Sequence, residues 1–197
     1  GYKYVFEIEA REDLKNMTTV LKLVDYLMDN GFTKNDTLHV VGGGITQDIS
    51  SMCAALFKRG INWIFTPTTL LSMCDSCIGS KMGINHNDSK NQLGTFYPPK
   101  RVMIDVTFLK TLGEEDINSG TGEILKLYAL GDLPWDIDNI EEALKKCLEI
   151  KKKVIEEDEL EKTIRPCLNY GHTFGHVFES MSDFKIPHGV AVMIGMY

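Results

Sequence analysis

The run Thr37-Leu-His-Val-Val41, emptying into Gly42-Gly43-Gly44, constrains the fold more than any other stretch of the chain. β-Branched residues at that density favour an extended strand, and consecutive glycines end it. Asp48 to Arg59 reads as the helix that follows. A strand that passes through a glycine turn into a helix opens an α/β unit. Its geometry suits anions, because glycine lets backbone amides approach closely and the helix start adds the positive end of its dipole. The spacing is not G-x-G-x-x-G, so the turn alone is equally a plain connection.

Further elements extend the pattern. Met17 to Asp29 is a helix with Val20, Leu21, Leu23, Val24 and Leu27 at helical spacing, closed by Asn30-Gly31. Ile61 to Phe65 and Arg101 to Val106 read as strands. Strands separated by helical segments predict a largely parallel sheet with ligands at its carboxyl ends. From about Thr111 the texture changes: Asp116 to Leu130, Ile140 to Glu157 and Gly171 to Ser180 are helical, and no strand follows. The expectation is an α/β domain over residues 1–110 followed by an α-helical domain over 111–197.

Composition excludes several classes. The net charge of -7 offers no footprint for phosphate backbones, and the basic run Lys151-Lys152-Lys153 is followed at once by Glu156, Glu157, Asp158 and Glu159. Nucleic acid is therefore no partner, and no apolar run approaches the roughly 18 residues of a membrane span. Five cysteines at irregular spacing fit reduced thiols in a cytoplasmic protein. Cys74-Asp75-Ser76-Cys77 has no second pair to complete a zinc site and reads as structural. A start at Gly1 and a stop inside the apolar run GVAVMIGMY lead us to expect a fragment, with part of each domain missing.

Chemistry gathers in three places. His172 and His176 stand one helical turn apart in NYGHTFGHVFES, and His188 follows in IPHGVAV, so three of the five histidines fall within seventeen residues. Neutral imidazoles suit Zn²⁺, Co²⁺ or Fe²⁺, and a catalytic ion of that kind takes three protein ligands. Glu123, between glycines and an apolar helix in GTGEILK, is the carboxylate that would complete the set. The alternative is that the two histidines merely decorate a helix; His39 and His86 are read that way. A second group, Asp75, Lys81, Lys90 and Asn91 among small residues, suits a hydroxylated anion. Arg165 and Asn169 form the third, just before the histidine helix.

Taken in order, GGGITQDIS, KRGINWIFTPTTLLSMCDSCIGSKMGIN, SKNQLGTFYPP, FLKTL, GEILK, KKKVIEEDE, RPCLNYGHTFGH and IPHGVAV closely resemble the 3-dehydroquinate synthases and their sugar phosphate cyclase relatives. The resemblance runs from about Glu12 to the last residue. It implies an α/β NAD-binding domain, an α-helical metal and substrate domain, and catalysis at a cleft between them. By this likeness Gly43, Gly44 and Asp48 hold the NAD diphosphate, Thr68, Thr69, Asp75, Lys81, Lys90, Phe108, Thr111 and Leu112 line the rest, and Glu12 and Lys15 reach the adenosine end. The metal ligands are Glu123, His172 and His188, which makes His176 a substrate contact. Asp75, Lys81, Asn91, Lys126, Lys151, Arg165, Asn169 and His176 grip the substrate. Arg59 resembles the residue lent to a neighbouring subunit's phosphate site, which implies a homodimer.

The implied reaction needs no net redox. NAD oxidises a secondary alcohol of 3-deoxy-D-arabino-heptulosonate 7-phosphate, phosphate is eliminated beside the new ketone, the hydride returns, and an aldol closure gives 3-dehydroquinate, with a divalent ion (Zn or Co, or Fe) as Lewis acid. Gly171 and Gly175 are expected to leave room for substrate at that ion. Departures from the usual pattern are Val190 after His188-Gly189, Met82 in Gly79-Ser80-Lys81-Met82, Asp116 and Thr163. They leave open a relative acting on sedoheptulose 7-phosphate or another sugar phosphate. An iron-dependent alcohol dehydrogenase and a non-catalytic metal-binding remnant are the remoter alternatives.

Overall fold

A computed structural model describes residues 4–87, 89–135, 137, 139–182 and 185–197. The chain divides into two compact units, the first formed by residues 1–67 and 80–104, the second by 68–79 and 105–197.

In the first unit, β1 (Thr37–Gly42) and β2 (Asn62–Pro67) pair in parallel from Thr37↔Asn62 to Gly42↔Pro67, and β5 (Arg101–Val102) joins the far side of β2. The parallel sheet expected from the alternation is present, although β5 is shorter than the Arg101 to Val106 run that reads as a strand. α1 (Met17–Asp29) begins where the Asn16 side chain accepts from the Thr19 amide, and it buries Val20, Leu23 and Leu27 on one face. α2 (Gly44–Leu56) starts earlier than Asp48, directly behind the glycine turn, and ends in a 3₁₀ turn, Phe57–Arg59. A hairpin of β3 (Lys81–His86) and β4 (Ser89–Phe96) has no counterpart in the sequence reading. Its strands escaped notice because β4 is polar and almost wholly exposed, leaving no apolar alternation to detect.

The second unit is helical: α3 (Glu114–Leu130), α4 (Ile140–Glu157), α5 (His172–Met181) and α6 (His188–Met196). α3 carries Glu114, Glu115 and Asp116 in its first turn, favourable against the helix dipole, and the Asn139 side chain caps α4. The GVAVMIG run, left without an assignment in the sequence, is α6. The core joins Leu70, Met73 and Cys74 to Ile124, Leu127, Tyr128, Leu144, Cys147 and Leu168.

That core corrects the contiguous boundary at residue 110. Thr68–Gly79, containing a π-helical turn at Ser72–Ser76, belongs to the helical unit because its apolar side chains have their partners there, and the main crossing comes at Asp105. Cys74 and Cys77 are buried and free, with burial pushing Cys77 up to about 12, which accords with a structural reading of that pair. No helix among the described residues is long and apolar enough to cross a membrane.

Candidate metal centre

Three glycines adjacent in sequence to Glu123, His172 and His188 explain how those side chains meet. A Cβ on Gly122 of α3 would overlap the Gly189 carbonyl of α6, and one on Gly189 would overlap the Ser119 carbonyl, so the two helices cross backbone to backbone. Gly171, the N-cap of α5, has a left-handed φ of 80°, and a Cβ there would come within 2.5 Å of the Val192 oxygen of α6. The glycines thus serve helix packing. Room for substrate, the reason expected for Gly171 and Gly175, is not what the geometry gives, since a Cβ on Gly175 would also meet α6 at Ala191.

This close packing carries the flanking residues together. Glu123 Oε1 lies 3.5 Å from His172 Nε2 and 3.4 Å from His188 Nε2, and one donor atom from each of the three lies within 4.8 Å of the others. The imidazole centroids of His172 and His188 are 5.1 Å apart. Glu123 is 1 % exposed. Neither of its oxygens has a hydrogen bond of acceptable geometry, although the Lys126 ammonium pairs with Oε2. Burial alone would push this carboxyl up, but His188, Lys126 and His172 outweigh it and hold it below the usual carboxylate range. An ionised, under-bonded carboxylate facing two imidazole nitrogens is a donor set that fits a divalent cation.

His172 is shifted down by burial and by Lys126, against the pull of Glu123. His188 is also opposed by burial, yet Glu123 and Glu179 raise it to about 9. His176 stands beside these rings, 5.4 Å from His172 between centroids, but it is 62 % exposed in its side chain and makes no contact with Glu123 among those described.

A charged relay leads away from the three donors. Asp75 Oδ1 lies 2.6 Å from Lys151 Nζ, its Oδ2 lies 4.0 Å from Lys126 Nζ, and Lys151 also donates to the Asp75 carbonyl. Burial opposes ionisation of Asp75, but the two ammonium groups win and its pKa is lowered. Lys126, likewise penalised by burial, is raised by Asp75 and Glu123. The buried Arg165 donates to the carbonyls of Gly79 and Glu159, and the exposed Asn169 donates to Glu161 Oε1.

The remaining residues of the proposed nucleotide set divide between the units. In the second, Thr69 Oγ1 bonds the Ser72 hydroxyl next to Thr68, while Phe108 and Thr111 share the 3₁₀ turn Val106–Thr111, with Leu112 closing it. In the first, Gly43 is the extended N-cap of α2, and nothing stands within 4 Å of where a Cβ on Gly44 would sit. Lys15 draws together three others: its Nζ is 3.2 Å from Asp48 Oδ2, 2.9 Å from Asn91 Oδ1 and 3.4 Å from Glu12 Oε1. Asn91 is thereby grouped with the adenosine-end residues. Asp48 also accepts from the Gly83 amide, and burial raises its pKa to about 6 in spite of Lys15. Lys81 and Lys90 are exposed on β3 and β4, and Arg59 is exposed with φ 60°.

Two residues of this unit escaped the sequence reading. Glu179 is buried on α5, with Oε2 3.3 Å from His188 Nδ1. Its only sequence signal is a carboxylate seven residues after His172, on the same helical face. Asp158 caps the turn before Arg165, accepting from the amides of Lys162, Thr163 and Arg165. Burial opposes its charge, but those amides hold it down at about 2.

A family model described as 3-dehydroquinate synthase N-terminal matches residues 5–119, and one described as 3-dehydroquinate synthase C-terminal matches 109–197. The chain is 38% identical over 204 residues to the 3-dehydroquinate synthase of Campylobacter concisus (strain 13826), covering 98% of the chain and 59% of that relative. It therefore spans about three-fifths of the length of such relatives. A solved 2-deoxy-scyllo-inosose synthase complexed with carbaglucose-6-phosphate, NAD+ and Co2+ superposes with a TM-score of 0.89 at 28% identity, over 98% of this chain and 56% of that one. The 2-epi-5-epi-valiolone synthase from Streptomyces hygroscopicus subsp. jinggangensis 5008, with NAD+ and Zn2+ bound, gives 0.84 at 29%, over 96% and 57%.

Proposed function

The chain belongs to the 3-dehydroquinate synthase family, and from that we propose that the whole protein is a carbon–oxygen lyase converting 3-deoxy-D-arabino-heptulosonate 7-phosphate to 3-dehydroquinate and phosphate, with NAD and a divalent ion of zinc or cobalt. The convergence of Glu123, His172 and His188 supports the reading most directly, because the three donors come from three different helices and share one point. Identity of 38% to a curated synthase, against 28% and 29% to the two cyclases, favours the seven-carbon keto acid over their substrates.

An ion bound at these residues would supply charge stabilisation for a substrate oxygen, and NAD would supply the reversible hydride transfer. The chain's own share is binding and orientation. Gly43 and Gly44 present the amides of the α2 start to a diphosphate. Asp75, kept ionised by Lys126 and Lys151, accepts hydrogen bonds from substrate hydroxyls. Lys151 and Arg165 meet its carboxylate and phosphate, and Asn169 and His176 bind through amide and imidazole. Arg59, exposed beyond α2, reaches the phosphate of a neighbouring copy in a homodimer, and we place the enzyme in the cytoplasm.

The test is to incubate the whole protein with NAD, Co²⁺ or Zn²⁺, and either the seven-carbon keto-acid phosphate or sedoheptulose 7-phosphate, and to follow inorganic phosphate. We expect release from the first alone. Release only from the second transfers the protein to another cyclase, and release from neither removes the enzymatic reading.

A further inference from the structure

Large apolar side chains on α5 are exposed, Phe174 at 64% and Met181 at 79%, whereas Glu179 on the same helix is 7% exposed. Burying a carboxylate is costly unless something compensates it, and the Nδ1 atom of His188, 3.3 Å from Oε2, is such a partner. An ionised carboxylate can only accept, so this contact requires the proton of His188 to sit on Nδ1. The other face of that ring, Nε2, lies 3.4 Å from Glu123. His172 is arranged in the same way: Nδ1 is 3.3 Å from the Tyr170 carbonyl, again an acceptor, and Nε2 faces Glu123. In both rings Nδ1 therefore faces an acceptor and Nε2 faces Glu123, the orientation in which Nε2, on giving up its proton, would face an ion held at that carboxylate.

We infer that Glu179 is a positioning residue for the metal ligand His188, fixing its tautomer and ring orientation as the Tyr170 carbonyl does for His172. The inference rests on the metal centre proposed above and adds to it a residue that does not touch the ion. Glu179 also falls in a second possible donor group with His176 and His188. That group would use the Nδ1 atom of His188, includes an exposed histidine, and lacks the under-bonded buried carboxylate that marks the first. Glu179 accordingly supports the ion through His188 instead of holding it.

The test is to strip the chain with a chelator and titrate it with Co²⁺, taking the affinity from visible absorption against a competing chelator. Proton NMR of the Co²⁺-loaded protein then counts slowly exchanging, paramagnetically shifted imidazole N–H resonances. The unsubstituted chain should show two. Glu179→Ala should lose one and bind Co²⁺ about 10–100-fold more weakly. Glu179→Gln, which keeps the size and an accepting oxygen, should retain both resonances with a smaller loss of affinity; it carries the test if the alanine variant does not fold. His176→Ala should match the unsubstituted chain. Unchanged affinity and two resonances in Glu179→Ala, or a Gln variant indistinguishable from the unsubstituted chain when the Ala variant is unfolded, overturn the inference and leave the centre standing. A loss in His176→Ala as large as in Glu179→Ala places the ion in the second donor group and also overturns it. No Co²⁺ uptake by the unsubstituted chain overturns both readings.

Discussion

Glu123 stays ionised at 1 % exposure because Lys126 and two imidazoles surround it, and its charge would draw a cation to those imidazoles. Replacing it by glutamine keeps the volume and removes that charge. Glu123→Gln should therefore lose more Zn²⁺ affinity than the roughly 10–100-fold that a supporting residue costs, measured by equilibrium dialysis with metal analysis. An affinity within threefold of the unsubstituted chain would remove Glu123 from the ligand set. Asp48 supplies a separate test of pH dependence. Its folded pKa of about 6 lies above the ordinary aspartate value of 3.8, so the folded chain holds this proton more tightly than the unfolded one. The group's contribution is full below about pH 4 and is lost as pH rises through about 6, a change on the order of 2–3 kcal/mol. Asp48→Asn should flatten stability over that window in urea titrations at several pH values; equal slopes for the two proteins would refute the assignment. The neighbouring Lys15 was readable as part of E-x-x-K, but its joining of Glu12, Asp48 and Asn91 was not, since those residues lie up to 76 positions away.

Helices were legible from apolar spacing wherever one face is buried, as in α1 with Val20, Leu23 and Leu27. α6 was not, because apolar residues surround it and no period stands out. The packing of α6 is nevertheless what assembles the centre, through the Gly122–Gly189 crossing and the contact of Gly171 with Val192. Gly189→Ala should push α3 and α6 apart, costing at least about 2 kcal/mol by overpacking, and should weaken Co²⁺ binding in parallel. Gly44→Ala meets nothing within 4 Å and should leave stability nearly unchanged. Thermal melts and Co²⁺ titrations of the two variants decide the matter: full metal affinity in a destabilised Gly189→Ala would separate the crossing from the site. A side chain at Gly171 should cost stability as well as metal affinity, because its φ and its neighbours on α6 each exclude a side chain.

All three proposed ligands lie in the second unit, so an ion bound there stabilises that unit first. Zn²⁺ at about a hundred times its dissociation constant should add roughly 2.7 kcal/mol. Hydrogen exchange should show this as new protection of amides in α3, α5 and α6 and little in β1 and β2; protection confined to β1 and β2 would contradict the assignment. The ordered series of short motifs, from the glycine turn after β1 to the histidines near the end, was enough in sequence to indicate an α/β part, a helical part and the residue types of a metal centre. These are local properties, carried by periodicity and by the chemistry of neighbouring side chains. Sequence spacing alone favoured His172 with His176, which are one turn apart and free to meet without any fold. The family resemblance grouped Glu123 and His188 with His172, but only the tertiary structure shows how the three meet while His176 stays exposed, and only it decides that Thr68–Gly79 packs with the helices. Which side chains share a point in space depends on how closely separate helices approach, and that distance is set by backbone contacts at glycines whose partners lie far along the chain.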